Sequence, residues 1–497
     1  MLSKMIPVKN FKPIIILVFT LSLPSVQFTA FSVSKQNSVY EQSGVVMNLP
    51  GYPFVFELNK GDSMVIDRRF KNKRITRTLI LKEVRLFTEH NNWIPDSLGR
   101  CNYYKAEVDI MVSGKMFTLM LRPYQMPVTV EGLRIYVEAV KKMDEIPNLD
   151  PVKKMNKEVR ISVCLENEPW GNPSELEFPV NDYRWRSASY NNTWSSLVPF
   201  NALYYHRGED LGAIPDKLDV CAWADGEVIN SPLPEGDNSN KILIRKQNGI
   251  EFDYYHCNIE SIDTGLLIGR QVKKGQCLAK TGMTWNGKHS QWMDPHVHLG
   301  INYNGYTMSL FPYLIEAYFR KYDDKLLAVA GGYRFANTGD SIELDASRSI
   351  CRNNEKIKTY QWRLHDGTIV NQPIIKIKYE TQGYYSEELL VKTVNGDIDK
   401  DFLQVRVNDL NSTKEIAYGW AYYYPIRNIK TGQNILFWNR IKSKTDVLIN
   451  FGDGTAIQTI KDEIFHSYSK SGNYTVELSS KGFNNEPVSV KLEVIIN

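Results

Sequence analysis

The sequence predicts a mainly β protein of several domains, and three observations carry that prediction. Apolar residues alternate with polar ones over short runs, as in Thr78-Leu-Ile-Leu-Lys82, Ala106-Glu-Val-Asp-Ile-Met-Val112 and Phe117-Thr-Leu-Met-Leu121, with Ser-Gly and Pro between them. Asn248-Gly249 stands between two alternating runs, 241–247 and 250–256, which is the strongest short hairpin signal. Long amphipathic helices are nearly absent, residues 310–322 being the one good candidate. A chain of 497 residues is too long for one core, so three or four domains are expected.

Taken in chain order, Lys4, Lys9 and Lys12 precede an apolar run, 13–23, and then small and polar residues. A basic start with so short an apolar core reads as a secretory signal over residues 1–30; a spanning helix needs about twenty apolar residues. No Cys follows the run to carry a lipid anchor, and no later stretch is long and apolar enough to span a membrane. The expectation is a protein that is secreted, or held in the periplasm or cell envelope.

Residues 36–190 read as a β-rich N-terminal domain of unknown role, within which 133–143 fits either a strand or a short helix. The polar stretch 191–196 looks like a linker or loop. The chemistry falls in 197–324, and two strand-rich stretches, 327–409 and 417–497, have the spacing of β-sandwiches.

Sixty basic against 56 acidic residues give a formal net charge of +4, with no dense Lys/Arg stripe, so nucleic acid is not the expected partner. Six cysteines (101, 164, 221, 257, 277 and 351) are too few to be the scaffold, and none has C-x-x-C spacing. Export would permit pairing, with Cys221–Cys277 and Cys101–Cys164 conceivable.

Five of the eight histidines fall between His206 and His298. His206 and Asp210, in His-Arg-Gly-Glu-Asp, are four apart and share a face in a strand or a helix; imidazole and carboxylate are both zinc ligands. His296 and His298, in Pro-His-Val-His-Leu-Gly, project from one face of a strand while Val297 and Leu299 pack behind. His256 ends the second hairpin strand, where period two aligns it with Ile250, Phe252 and Tyr254, so it sits at a strand end where a loop could present it to a groove. Each element alone is a weak signal, since surface histidines and H-x-x-x-D pairs are common.

In this order they are not weak. His206-Arg-Gly-Glu-Asp210, Ala224-Asp-Gly-Glu-Val-Ile229, Tyr254-Tyr-His256, Val272-Lys-Lys-Gly-Gln276 and Pro295-His-Val-His298 together resemble the lysostaphin/LytM-type zinc endopeptidases over 203–313. The resemblance implies an antiparallel β-sheet domain with a zinc groove, Zn²⁺ held by His206, Asp210 and His298, and catalysis by His256 and His296. It places Gly226 and Gly275 at turns. The stretch 281–294 departs from the family, being longer and richer in aromatics than the usual connection before H-x-H. Tyr204, Trp285 and Trp292 are candidates to line the groove; His289, His90 and His365 read as loop or turn residues.

Further on, Val447-Leu-Ile-Asn-Phe-Gly-Asp-Gly-Thr455 with His466-Ser-Tyr468 and Gly472-Asn-Tyr-Thr-Val476 resembles a PKD-type immunoglobulin-like domain. Residues 342–349 and 360–367 resemble the same module more loosely. Such domains act as spacers or adhesion units; Asp453 is a turn residue that could also ligate calcium.

The resemblance implies a zinc metalloendopeptidase that hydrolyses cross-links or stem peptides of bacterial peptidoglycan. The alternatives are an exported adhesion or binding protein, or a regulator of another cell-wall hydrolase, that keeps the peptidase fold without turnover. All five metal and catalytic positions are present, which favours the enzyme.

Overall fold

The computed structural model describes residues 44–88, 103–144, 153–199, 203–233, 241–409, 411–412, 416–443 and 445–497; the apolar run 13–23, His90 and Cys101 lie outside the described residues. The alternating runs form strands, and the molecule is mainly β.

In the N-terminal part a five-stranded antiparallel sheet runs in the order Val45–Met47, Phe54–Leu58, Val159–Leu165, Leu133–Val140, Val128–Val130. It shares a core that includes Phe56, Leu79, Val108 and Ile161 with a four-stranded meander, Ser63–Phe70, Lys73–Thr88, Tyr103–Val112 and Lys115–Leu121. The ambiguous 133–143 stretch is both things in turn: strand Leu133–Val140, then one helical turn, Lys141–Asp144.

The central antiparallel sheet carries the histidines. Its order is Asn191–Asn192, Glu209–Gly212, His296–Tyr303, Ile250–Tyr255, Ile242–Arg245, Gly226–Asn230, Gln271–Val272, with Tyr306–Met308 hairpinned onto His296–Tyr303. One face buries Ile242, Ile244, Ile250, Phe252, Tyr254, Val297, Leu299 and Ile301. Each such side chain contributes about 1.5–3 kcal/mol on leaving water. The expected helix spans Phe311–Lys321, with Pro312 in its first turn, and joins the same core through Phe311, Leu314, Ile315 and Tyr318.

Residues 170–196 wrap this sheet. Trp170, Phe178, Tyr183 and Trp185 enter its core, and the Tyr183 and Trp185 amides donate to the Tyr322 and Tyr318 hydroxyls, both at 3.1 Å. The stretch 191–196 is therefore not a linker. Thr193 and Trp194 are buried, and the polar side chains there serve hydrogen bonds: Asn191 Nδ2 donates to Ala188 O at 2.7 Å, and Thr193 Oγ1 to Glu209 Oε1 at 2.9 Å. Polar composition here reflects buried pairing, not solvation.

The two C-terminal stretches share a nine-stranded sheet. Gly383–Thr393 of the first meets Pro487–Ile496 of the second in parallel at Tyr384 and Val488, so each covers an edge of the other. Cys221 and Cys277 are cross-strand partners, yet both are free thiols, as are Cys164, Cys257 and Cys351. Among the described residues no helix is long and apolar enough to cross a membrane.

The N-terminal sheet is locked to the central one by polar groups buried at their contact. Arg160 donates through Nε and Nη2 to Glu57 Oε1 at 3.1 and 2.8 Å, and through Nη1 to Thr307 O at 3.3 Å. The Ser309 amide donates to Glu138 Oε2 at 2.7 Å, and the Tyr136 hydroxyl to Ser309 Oγ at 3.0 Å. Replacing Arg160 by Met strands the buried Glu57 carboxylate and should destabilise the chain by about 3–5 kcal/mol. Urea unfolding checks this as a lower midpoint with an unchanged slope.

Candidate metal centre and paired imidazoles

The site grows from one strand pairing. Glu209–Gly212 lies antiparallel to His296–Tyr303 in a register that sets Asp210 opposite His298 and Gly212 opposite His296. Directly opposed residues point to the same face, so Asp210, His296 and His298 emerge together. His206, just before the strand, joins them. His206 Nε2 lies 3.0 Å from Asp210 Oδ1 and 3.0 Å from His298 Nδ1, and His298 Nδ1 lies 2.8 Å from Asp210 Oδ1.

These three atoms form a nearly equilateral triangle. His206 Nδ1 faces Thr193 O at 3.2 Å, which fixes the N–H there and turns the Nε2 lone pair toward the carboxylate. Acceptors thus converge on one space, which a proton or a metal cation must neutralise. Donors around one tetrahedral zinc, at about 2.0–2.1 Å from it, sit roughly 3.3 Å apart, close to the separations found here. The donor set therefore fits such an ion: two imidazoles and one carboxylate, with a fourth position left over.

Asp210 is deeply buried. Burial pushes its carboxyl upward, but the imidazoles of His206 and His296, with hydrogen bonds from His206 and His298, outweigh this and hold it well below the usual carboxylate range. Its other oxygen, Oδ2, accepts a hydrogen bond from the Tyr190 hydroxyl at 3.1 Å.

His256 and His296 stand beside the triangle, their rings 4.8 Å apart, and His296 Nε2 lies 3.6 Å from Asp210 Oδ1. Both present Nδ1 to a backbone carbonyl: His256 to Thr284 O at 3.0 Å, His296 to Asp294 O at 2.6 Å. Each Nδ1–H is thereby engaged and each Nε2 is the nitrogen left for chemistry. Burial, reinforced for His256 by repulsion from His296 and His298, lowers the pKa of both imidazoles; for His296 this prevails over the attraction of Asp210.

His256 lies just past the end of its strand, where the sequence expected it to be presented to a groove, though off the face it was aligned with. Ile250, Phe252 and Tyr254 do share the core face, but the strand ends at Tyr255 and His256 has φ of 65°. That left-handed backbone swings the ring off the core face and against His296. Such a conformation in a residue other than Gly costs about 1–3 kcal/mol and persists where the surroundings enforce it, commonly at functional sites.

Trp285 stacks on His256 at 5.7 Å and meets Trp292 edge-on at 5.8 Å, so both extend the wall beside the imidazoles, with Trp292 half exposed. The other histidines are elsewhere: His289 pairs with Glu260, His365 with Glu387 and His466 with Asp453. The Asp453 carboxylate is taken up by that pair and by the Thr455 amide and hydroxyl, as a turn residue.

Sequence reasoning passed over Tyr190, Thr193 and one glycine. A Cβ on Gly208 would lie 2.5 Å from both His298 Nε2 and Leu299 O, so only Gly allows the first motif to pass so close to the third ligand. The glycine inside His-Arg-Gly-Glu-Asp was the available signal.

A mainly β domain presenting two imidazoles and a carboxylate beside a second imidazole pair is the class of arrangement found here. Residues 204–310 match the model of Peptidase family M23, and residues 327–407 that of the PKD domain. A peptidase-family domain followed by a PKD domain is what the motifs led one to expect. No curated protein matches the chain. Solved structures to which it is similar include the PKD domain from KIAA 1837 protein, at 21% identity, covering 18% of this chain and 91% of that one, TM-score 0.15. Others are the fibronectin(III)-like modules of Clostridium thermocellum CbhA, at 12% identity, 35% and 94% coverage and TM-score 0.15, and carbohydrate-binding modules of the β-sandwich superfamily, at 14%, 35% and 94%, TM-score 0.17.

Gly208→Ala should displace the His298 ring and weaken metal binding by at least about 10-fold, with an unchanged far-UV circular dichroism spectrum. Competition against a chromophoric zinc chelator measures it.

Proposed function

We propose that the chain is an exported zinc metalloendopeptidase cutting peptide cross-links or stem peptides of bacterial peptidoglycan. The observation that carries this reading is the three-atom donor triangle flanked by two imidazoles, each held at Nδ1 by a backbone carbonyl. His206, Asp210 and His298 would hold Zn²⁺. When bound there, zinc polarises a scissile carbonyl and lowers the pKa of a coordinated water to about 7.

The chain's own groups do the rest. No H-E-x-x-H motif supplies a Glu base. His256 and His296 take that role, each with its pKa lowered by burial and each aimed by a backbone carbonyl. One Nε2 accepts the proton of the attacking water and, as imidazolium, delivers that proton to the departing amine, while the second imidazole helps to hold the water by accepting its other hydrogen at Nε2. The basic, apolar N-terminal segment and the PKD module support action outside the cell, where the substrate lies.

Purified peptidoglycan digested with the wild-type chain should release fragments whose masses identify the bond cut. His298→Ala should release none. A chelator should abolish cleavage and added Zn²⁺ restore it. His256→Ala and His296→Ala should each lower kcat by about 10²–10⁴-fold while zinc stays bound. Identical fragments from wild type and His298→Ala would refute the catalytic role; intact peptidoglycan with both would leave a binder or a regulator.

A further inference from the structure

The matched peptidase segment begins at residue 204, yet a hydroxyl from upstream touches a proposed metal ligand, and a ring from far downstream holds it there. We propose that Tyr190 is a positioning residue of the metal centre and that the C-terminal module, through Trp420, is the brace that keeps it in place. This rests on the zinc-site reading above.

The geometry is continuous. The Tyr190 hydroxyl donates to Asp210 Oδ2 at 3.1 Å, the oxygen pointing away from the donor triangle, while Oδ1 faces His206 and His298. A carboxylate is free to rotate about its terminal bond; a donor on one oxygen fixes the plane of the group and so aims the other oxygen at the donor triangle. The Tyr190 ring lies against His296, 4.9 Å between centroids, so one side chain orders a metal ligand and packs on a neighbouring imidazole.

Tyr190 is itself held from two sides. Asn191 and Asn192 after it pair with Leu211 and Asp210, and Gly212 lets the chain come close, since a Cβ there would lie 2.0 Å from Tyr190 O. Before it, Ala188 bridges Tyr422, the Ser189 amide donates to Ala421 O at 2.9 Å, and the Ala421 amide donates to Ser189 Oγ at 2.7 Å. Trp420 then closes edge-on over the Tyr190 ring at 5.1 Å, backed by Tyr333 at 5.5 Å. The segment 188–192 is a strap with one edge on the metal-ligand strand and the other on the C-terminal module. That module is therefore part of the metal centre as well as a spacer.

The test uses the full chain as wild type, Tyr190→Phe, Trp420→Ala and the double variant. Zinc affinity is measured by chelator competition, the absorption spectrum of the cobalt(II)-loaded forms is recorded, and metal-free thermal melting is followed. Tyr190→Phe keeps the ring packing, so it should melt as wild type without metal, bind zinc about 10–100-fold more weakly and shift the cobalt bands. Trp420→Ala touches no donor atom and should weaken zinc in the same direction. In the Tyr190→Phe background its effect should largely vanish, because it works through that hydroxyl. Wild type binding zinc with Tyr190→Phe binding it equally well, cobalt bands unmoved, overturns the proposal. A Trp420 effect undiminished in the double variant overturns the bracing. Failure of wild type to bind zinc at all overturns instead the reading of the site on which both rest.

Discussion

The site depends on the register between two short strands. With Asp210 opposite His298, the carboxylate and imidazole lie side by side on one face, and Leu211, Val297 and Leu299 fill the other. A slip of one residue would exchange the faces, burying Asp210 in the core and turning a leucine into the groove. Glu209 helps to forbid this. It is fully buried, and burial raises its carboxyl well above the ordinary range despite hydrogen bonds from Thr193 Oγ1 and the Trp194 amide. In a shifted register that carboxyl would lose both donors, a cost of about 1–3 kcal/mol. The polar strand thus carries its own lock.

What was legible in the sequence was whatever local periodicity controls. His296 and His298 are two apart on a strand and share a face, and the His206–Asp210 spacing brings both to one end of the sheet. The helix at 311–321 showed as the one amphipathic candidate, 310–322. What was not legible came from backbone states and from contacts between distant segments. The place of His256 at a strand end, where a loop could turn it to a groove, was readable; the left-handed φ that makes the turn was not, since nothing in Tyr-Tyr-His announces that angle. The stretch 191–196 read as a linker or loop because it is polar, though Asn191 and Thr193 use their side chains on Ala188 O and Glu209 inside the fold. Tyr190 and Trp420 carry no motif; their meaning lies in a contact between segments far apart in the chain.

The long connection 281–294 separates what the fold must keep from what it can vary. It supplies the carbonyls of Thr284 and Asp294, which receive the Nδ1 sides of His256 and His296. Those bonds need backbone oxygens in fixed places and make no demand on side chains, so this connection can lengthen and gain aromatics without disturbing the imidazole pair. Gly282 makes the path possible: a Cβ there would lie 2.3 Å from the Asn258 amide and 2.6 Å from His256 O. The far end is pinned by Arg440 of the C-terminal module, whose Nη2 donates to Gln291 O at 3.1 Å.

Strands, strap and connection therefore divide the task by stiffness. The donor atoms stand on or beside hydrogen-bonded strands, where positions are set to tenths of an ångström. Orientation of each imidazole comes from main-chain carbonyls, at Thr193 for His206, Thr284 for His256 and Asp294 for His296, and a carbonyl cannot titrate. Only the outer oxygen of Asp210 relies on a side chain from outside the matched segment. A site so built has its imidazoles aimed by the main chain itself. Its weak point lies at the contact with the C-terminal module, where packing of Trp420 on Tyr190 takes the place of a strand ladder.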